Sequence, residues 1–159
     1  YFTRFKNIWH HGDFVERTSK NGFIVRGRSD ATLNPGGVRI GTAEIYQQVE
    51  NINFITEGLV VGQDYNDDVR IILFVTTKDN EDLDEEKIRI IKSKIRKNCS
   101  PKHVPAMIIK VPDIPRTKSG KIVELAVTQI INGEEIYNKE VIANPQALKF
   151  YENLPQLKA

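Results

Sequence analysis

Val69-Arg70-Ile71-Ile72-Leu73-Phe74-Val75 carries one charge in seven residues, and its reading decides the fold. An almost wholly apolar run of this length reads as a strand buried on both faces, at the centre of a sheet. Working outward, residues 54–62 read as the strand before it, with Gln63 to Asp68 as the polar turn between. On the other side, the acidic run Asp79 to Glu86 reads as the start of a helix, because Asp82 or Asp84 can cap it. That helix is expected to run to about Asn98. Ile88, Ile91 and Ile95 face inward, and Lys87, Lys92, Lys94, Arg96 and Lys97 face mostly outward. Pro101 and Pro105 bracket a stiff connection to a third short strand, Ala106 to Val111.

The flanks fit the same plan. Upstream, Ile45, Val49 and Ile52 form an apolar stripe at helical spacing, with Thr42 as the expected N-cap and Glu44 in the first turn. Before it, Phe14–Arg17 and Phe23–Arg26 flank Asn21-Gly22, a hairpin signal because both residues accept positive φ. Downstream, Ile122, Leu125, Ala126, Gln129 and Ile130 line a helix that Gly133 ends, and residues 134–159 are expected to form an appended tail that packs locally. The expected class is α+β, a small sheet flanked by helices and preceded by a β-hairpin. Fold class alone does not specify a function.

Composition narrows the field. The 159 residues suffice for one domain, or one domain with a tail, at 40% hydrophobic and 28% charged. A net charge of +2 makes no case for nucleic acid. Cys99 stands alone and cannot form an internal disulfide, and three histidines with one cysteine lack zinc spacing, so no metal site is expected. No apolar run approaches membrane-spanning length and no signal peptide is seen, so a cytoplasmic protein without a membrane partner is expected. The chain begins at Tyr1, without methionine and in mid-pattern, which suggests a piece of a longer protein.

Two stretches carry chemistry. Pro115-Arg116-Thr117-Lys118-Ser119-Gly120-Lys121-Ile122 holds three cations, two hydroxyls and a glycine between a strand exit and a helix. Read as a mobile loop, it can carry Lys121 into a pocket outside this chain, where an ammonium stabilises a developing phosphate or carboxylate anion. It is no P-loop. Pro115 stands where the first glycine belongs, and Ile122 follows the lysine. Residues 27–45 contain four glycines and Pro35, the mark of a backbone that turns sharply or lies close to a ligand.

Together these stretches resemble the closing motifs of the adenylate-forming superfamily, which holds acyl-CoA synthetases, peptide-synthetase adenylation domains and luciferase. The residues concerned are Gly27-Arg28-Ser29-Asp30, Gly37-Val38-Arg39-Ile40-Gly41-Thr42-Ala43-Glu44-Ile45 and Arg116 to Ile122, in that order. Ser29 to Arg39, and the tail from Ile131-Asn132-Gly133 to Asn144-Pro145, are similar in wording to members that act on acetoacetate. The resemblance implies the mobile C-terminal lid domain of an adenylate-forming enzyme. Residues 1–29 would end the large N-terminal domain, 30–133 would be the lid, and 134–159 a C-terminal extension.

The implied activity is AMP-forming ligation of a short-chain carboxylic acid to CoA, with acetoacetate as the expected acid. ATP and CoA are the co-substrates, and Mg2+ accompanies ATP on the missing domain. The chain's own N-terminal domain is its implied partner, and the isolated piece is expected to be inactive. By the same resemblance Asp13 would accept the ribose hydroxyls of ATP, and Arg28 would hold that ribose or an adjoining phosphate. Asp30 would be the hinge. Lys121 would reach the α-phosphate and the attacking carboxylate, with Arg39 in the same pose. Gly36 and Gly37 would flank the pantetheine path in a second pose, and Arg96 would meet the CoA nucleotide phosphates. Two positions depart from the pattern: His11 replaces a hydroxyl residue, and Ala31 replaces a second acid after the hinge. Three other readings stay open: acetate or another acid as substrate, a carrier-protein thiol as acceptor, and a non-catalytic α+β binding module.

Overall fold

The computed structural model describes residues 5–28, 32–136 and 139–158. Strand β4 (Asp68–Thr77) lies in the middle of a three-stranded sheet. It pairs antiparallel with β3 (Ile55–Tyr65) and parallel with β5 (Met107–Lys110). Alternation along β4 sends Ile71, Leu73 and Val75 into one core cluster and Ile72 and Phe74 into another. The apolar run therefore serves two cores at once, as expected of a central strand.

One face is covered by α1 (Thr42–Val49) and α2 (Glu85–Asn98). Ile45, Val49 and Ile52 are buried there beside Ile91 and Ile95. Asp84 caps α2, accepting the Lys87 amide at 2.8 Å. Gly41, not Thr42, occupies the cap position of α1, and Thr42 is its buried first residue. The basic face of α2 is partly structural. Lys92 donates to the Ala106 carbonyl and Lys94 to that of Asn51, at 3.2 and 2.7 Å.

The second face is covered by α3 (Glu124–Ile131) and by the segment after it. Ala126, Val127 and Gln129 are the buried residues of α3. Leu125, expected inside, is exposed, whereas Ala126 and Gln129 are buried as expected and Val127 joins them; α3 begins only at Glu124. Gly133, at φ 74°, ends α3. The Gly133 amide donates to Ile130 and that of Glu134 to Gln129, which satisfies the last carbonyls. Residues 139–158 do more than pack locally. Tyr151 is buried edge-on against Phe74, ring centres 4.8 Å apart, and Leu157 joins the same core.

Two turns differ from expectation. β3 continues through Gln63 and Asp64 to Tyr65, leaving only Asn66 and Asp67, at φ 51° and 59°, to make the reversal. The strand tolerates Gln63 because its side chain donates to the Leu157 carbonyl and accepts from Arg70. The N-terminal ribbon pairs β1 (Asp13–Arg17) with β2 (Phe23–Arg28). Its turn is longer than a two-residue Asn-Gly: Thr18 bonds Gly22, and of the Asn-Gly pair only Asn21 takes positive φ. Val15, Phe23 and Val25 on this ribbon are exposed.

Candidate functional site

The lysine stretch, expected as a mobile loop, is a hydrogen-bonded hairpin. Arg116 bridges Ile122, and the Thr117 amide donates to the Lys121 carbonyl at 2.8 Å. Inside the turn, the Thr117 hydroxyl accepts the Lys121 amide and meets the Ser119 hydroxyl. A third segment seals the outer edge: Lys118 donates to the Val141 carbonyl, and Ala143 to that of Arg116. Ile122 is half-buried against the core beneath. The sequence could not show the outer seal, because Val141 and Ala143 lie on a distant segment. Lys121 stands exposed at the end of this frame, and no described residue pairs with its Nζ.

Beside the hairpin lies an open groove of about 530 Å³. Thr117 and Lys121 line it, as do Thr32, Leu33 and Asn34, the sheet residues Val60 and Val61, Glu124 and Thr128 of α3, and Asn132 just after that helix. Its lip is built. The Tyr46 hydroxyl, reaching up from α1, donates to Glu124 and accepts the Val60 amide at 3.0 Å. Burial, then the neighbouring Glu124 carboxylate, pushes the Tyr46 phenol well above its ordinary range. Asn132 accepts the Asp64 amide at 2.9 Å and ties α3 to β3.

The glycine stretch forms a second built feature. Leu33 and Ile40 exchange two backbone bonds of 2.9 Å and close the loop between them. Gly36 and Gly37 sit at its tip with φ of 56° and 75°, a region that L side chains rarely occupy. Asp68, at the start of β4, receives the Gly36 amide on both carboxylate oxygens. Those bonds, that of the Val69 amide and the nearby Lys102 hold the Asp68 carboxyl below its ordinary range. A Cβ on Gly36 would lie 3.1 Å from Lys102 Nζ. Arg39, on the same loop, is exposed. Gly36, Gly37 and Arg39 do not line the groove that Lys121 lines. Lysine and glycines therefore belong to separate built features.

The ribbon brings two more candidates into register: Asp13 is the cross-strand partner of Arg28. His11 Nδ1 lies 2.5 Å from an Asp13 carboxylate oxygen, so the residue that departs from the pattern engages the candidate ribose acid directly. Arg96 is exposed in the last turn of α2. Asp30, the expected hinge, and Ala31 lie outside the described residues. Among the described residues no three of His, Cys, Asp and Glu gather as metal ligands, and no helix is long and apolar enough to cross a membrane. Sequence reasoning missed Asp68, Tyr46 and Glu124, and also Glu57, whose carboxylate accepts from Arg116. Each acts across a long stretch of chain, and none stands in a motif.

No protein-family model matches the chain. Curated proteins do. The chain is 57% identical over 159 residues to acetoacetyl-coenzyme A synthetase of Rhizobium meliloti (strain 1021), covering 100% of this chain and 24% of that protein. It is 45% identical over 160 residues to acetoacetyl-CoA synthetase of Xenopus tropicalis, covering 99% of this chain and 24% of the relative. Among solved structures, acetoacetyl-CoA synthetase from Streptomyces lividans superposes with a TM-score of 0.87 at 38% identity, over 100% of this chain and 24% of the other. The chain thus spans about a quarter (24%) of the length of these relatives.

Proposed function

We propose a function from one premise: this chain belongs to the adenylate-forming superfamily, as the C-terminal part of an enzyme of the acyl-CoA synthetase kind. In our reading the parent protein joins a short-chain carboxylic acid to CoA. Acetoacetate is the preferred acid, because it is the acyl group in the names of the relatives. A carboxylate oxygen attacks the α-phosphorus of ATP and pyrophosphate leaves. The CoA sulfur then attacks the acyl carbon, AMP leaves with the bonding pair, and the thiol proton passes to solvent.

The observation that carries this reading is Lys121, an exposed ammonium on a frame too well bonded to reshape itself. A rigid frame delivers its cation by moving whole. We therefore assign 30–133 as a lid swinging about Asp30, with 1–29 ending the larger domain and 134–159 as an extension. The exposed apolar side chains of the ribbon suit a segment that the larger domain covers. In the first pose Lys121 and Arg39 stabilise charge developing at phosphorus, with Asp13 and Arg28 on the nucleotide. In the second, Gly36 and Gly37 leave a side-chain-free path for pantetheine, and Arg96 meets the CoA phosphates. Such gating lets one centre serve two steps. Mg2+ would enter with ATP, and the described residues gather no ligand cluster for it, so the remainder of the enzyme would hold it. A cytoplasmic setting, where ATP and CoA are supplied, completes the proposal.

The test is Lys121→Ala in the full-length enzyme. Pyrophosphate release with acetoacetate and with acetate should fall by about 10²–10³. Thioester formation from supplied acyl-adenylate should continue at the wild-type rate. Equal loss in both half-reactions would overturn the division of labour.

A further inference from the structure

We propose that Glu57 and Arg116 are positioning residues for Lys121, holding its hairpin in the geometry from which the ammonium is presented. This rests on the adenylating role proposed for Lys121. The Arg116 guanidinium forks: Nη2 donates to Glu57 Oε1, and Nη1 donates at 2.8 Å to the carbonyl of Gly120, the residue immediately before the lysine. One planar group thus joins the sheet to the peptide that carries Lys121.

Glu57 is placed for this work by the strand. It lies two residues before Leu59, so alternation puts it on the sheet face that the lysine hairpin and α3 cover. The pairing register shifts between Ile55 and Glu57, and the usual effect of such a bulge is to re-aim a side chain. A carboxylate set beside apolar residues needs a partner, and the Arg116 side chain supplies it. Both side chains remain about one-third exposed, at 31% for Arg116 and 35% for Glu57. Ion pairs of that exposure contribute little to stability. The consequence of this pair therefore lies in hairpin geometry more than in folding.

The chemistry of the fork makes the idea testable. A lysine at 116 keeps the charge but cannot direct two rigid, diverging bonds. Displacing a reacting group by about an ångström can cost as much as about a hundredfold in rate. In the full-length enzyme, Arg116→Lys and Glu57→Gln are each expected to lower kcat for pyrophosphate release by about tenfold, with KM for ATP unchanged. Thioester formation from supplied acyl-adenylate should be untouched, and the thermal midpoint should stay at the wild-type value. The charge-swapped double variant, Glu57→Arg with Arg116→Glu, restores an ion pair but leaves the Gly120 carbonyl without its donor. It should regain no adenylation. Wild-type pyrophosphate release by Arg116→Lys and Glu57→Gln, in an enzyme that Lys121→Ala cripples, would overturn this inference alone. So would an equal fall in both half-reactions, or recovery in the swap. A silent Lys121→Ala would instead remove the reading beneath it.

Discussion

Asp68 takes the amide of Gly36 on both carboxylate oxygens, at 2.8 and 3.0 Å, across 32 residues of chain. The tip of one ribbon thereby fixes the turn of another. Asp68→Ala should free the Gly36 turn and raise KM for CoA several-fold in the full-length enzyme, while pyrophosphate release stays unchanged. Asp68→Asn keeps one acceptor oxygen and should fall between. The pH dependence has a definite sign. The amide bonds lower the Asp68 pKa in the folded protein, so their stabilisation is complete above the ordinary carboxylate range and is lost as pH falls through the lowered value. The amide resonance of Gly36, followed by NMR in this chain, should shift only at pH below that range. A shift centred on an ordinary aspartate pKa would contradict the geometry.

Gly37 separates strain from function. A Cβ added there meets nothing within 4 Å, but its φ of 75° belongs to glycine. Gly37→Leu should therefore cost about 1–2 kcal/mol through the backbone alone, read from chemical denaturation. In the full-length enzyme it should also slow thioester formation by about tenfold or more by occupying the thiol's path, with adenylation spared. Normal thioester formation by a folded Gly37→Leu enzyme would refute the path assignment.

Tyr46→Phe removes the hydroxyl that accepts the Val60 amide and donates to Glu124. The amide is left without its acceptor in a part-buried place, at a cost of about 1–3 kcal/mol in unfolding free energy. Because the Tyr46 phenol is held neutral, its contribution is full below the ordinary tyrosine pKa and is lost only as pH rises through the raised value. An ultraviolet titration of the folded chain should accordingly leave Tyr46 un-ionised at pH 10, and Tyr46→Phe should not change the absorbance gained up to there.

Tyr151 tests whether the last segment is core. Its ring lies against Phe74, and its hydroxyl donates to the Asp113 carbonyl at 3.0 Å. Tyr151→Ala should lower stability by about 3–5 kcal/mol, as large aromatic truncations in cores do. Tyr151→Phe, which loses only the hydrogen bond, should cost about 1 kcal/mol. Denaturant midpoints for the pair decide it: near-equal small losses would mean that the segment merely rests on the surface.

The elements legible in the sequence were those whose cause is local. Ile45, Val49 and Ile52 repeat at helical spacing, Asp84 stands one residue before its helix, and the apolar run of β4 declares both faces buried. Where a distant partner decides, local reading stops. Gln63 looks like a turn residue until the Leu157 carbonyl meets its side chain. Leu125, placed inside by spacing, is exposed and Val127 is buried, in a helix that begins only at Glu124. The same division runs through the candidate site. Lys121, Gly36 and Gly37 stand out by type and spacing, whereas Glu57 and Asp68 become visible only when the chain is folded upon them.

The two backbone bonds that flank the facing pair Thr117 and Ile142, from Lys118 to Val141 and from Ala143 to Arg116, have a practical corollary. Residues 139–144 splint the lysine hairpin from outside, so trimming the gene at the last regular helix would leave the lysine stretch intact and still remove its outer brace. Engineers who splice this module elsewhere should carry the stretch through Asn144 with it, because a junction at Gly133 would yield a graft whose sequence looks complete and whose hairpin has lost its outer edge.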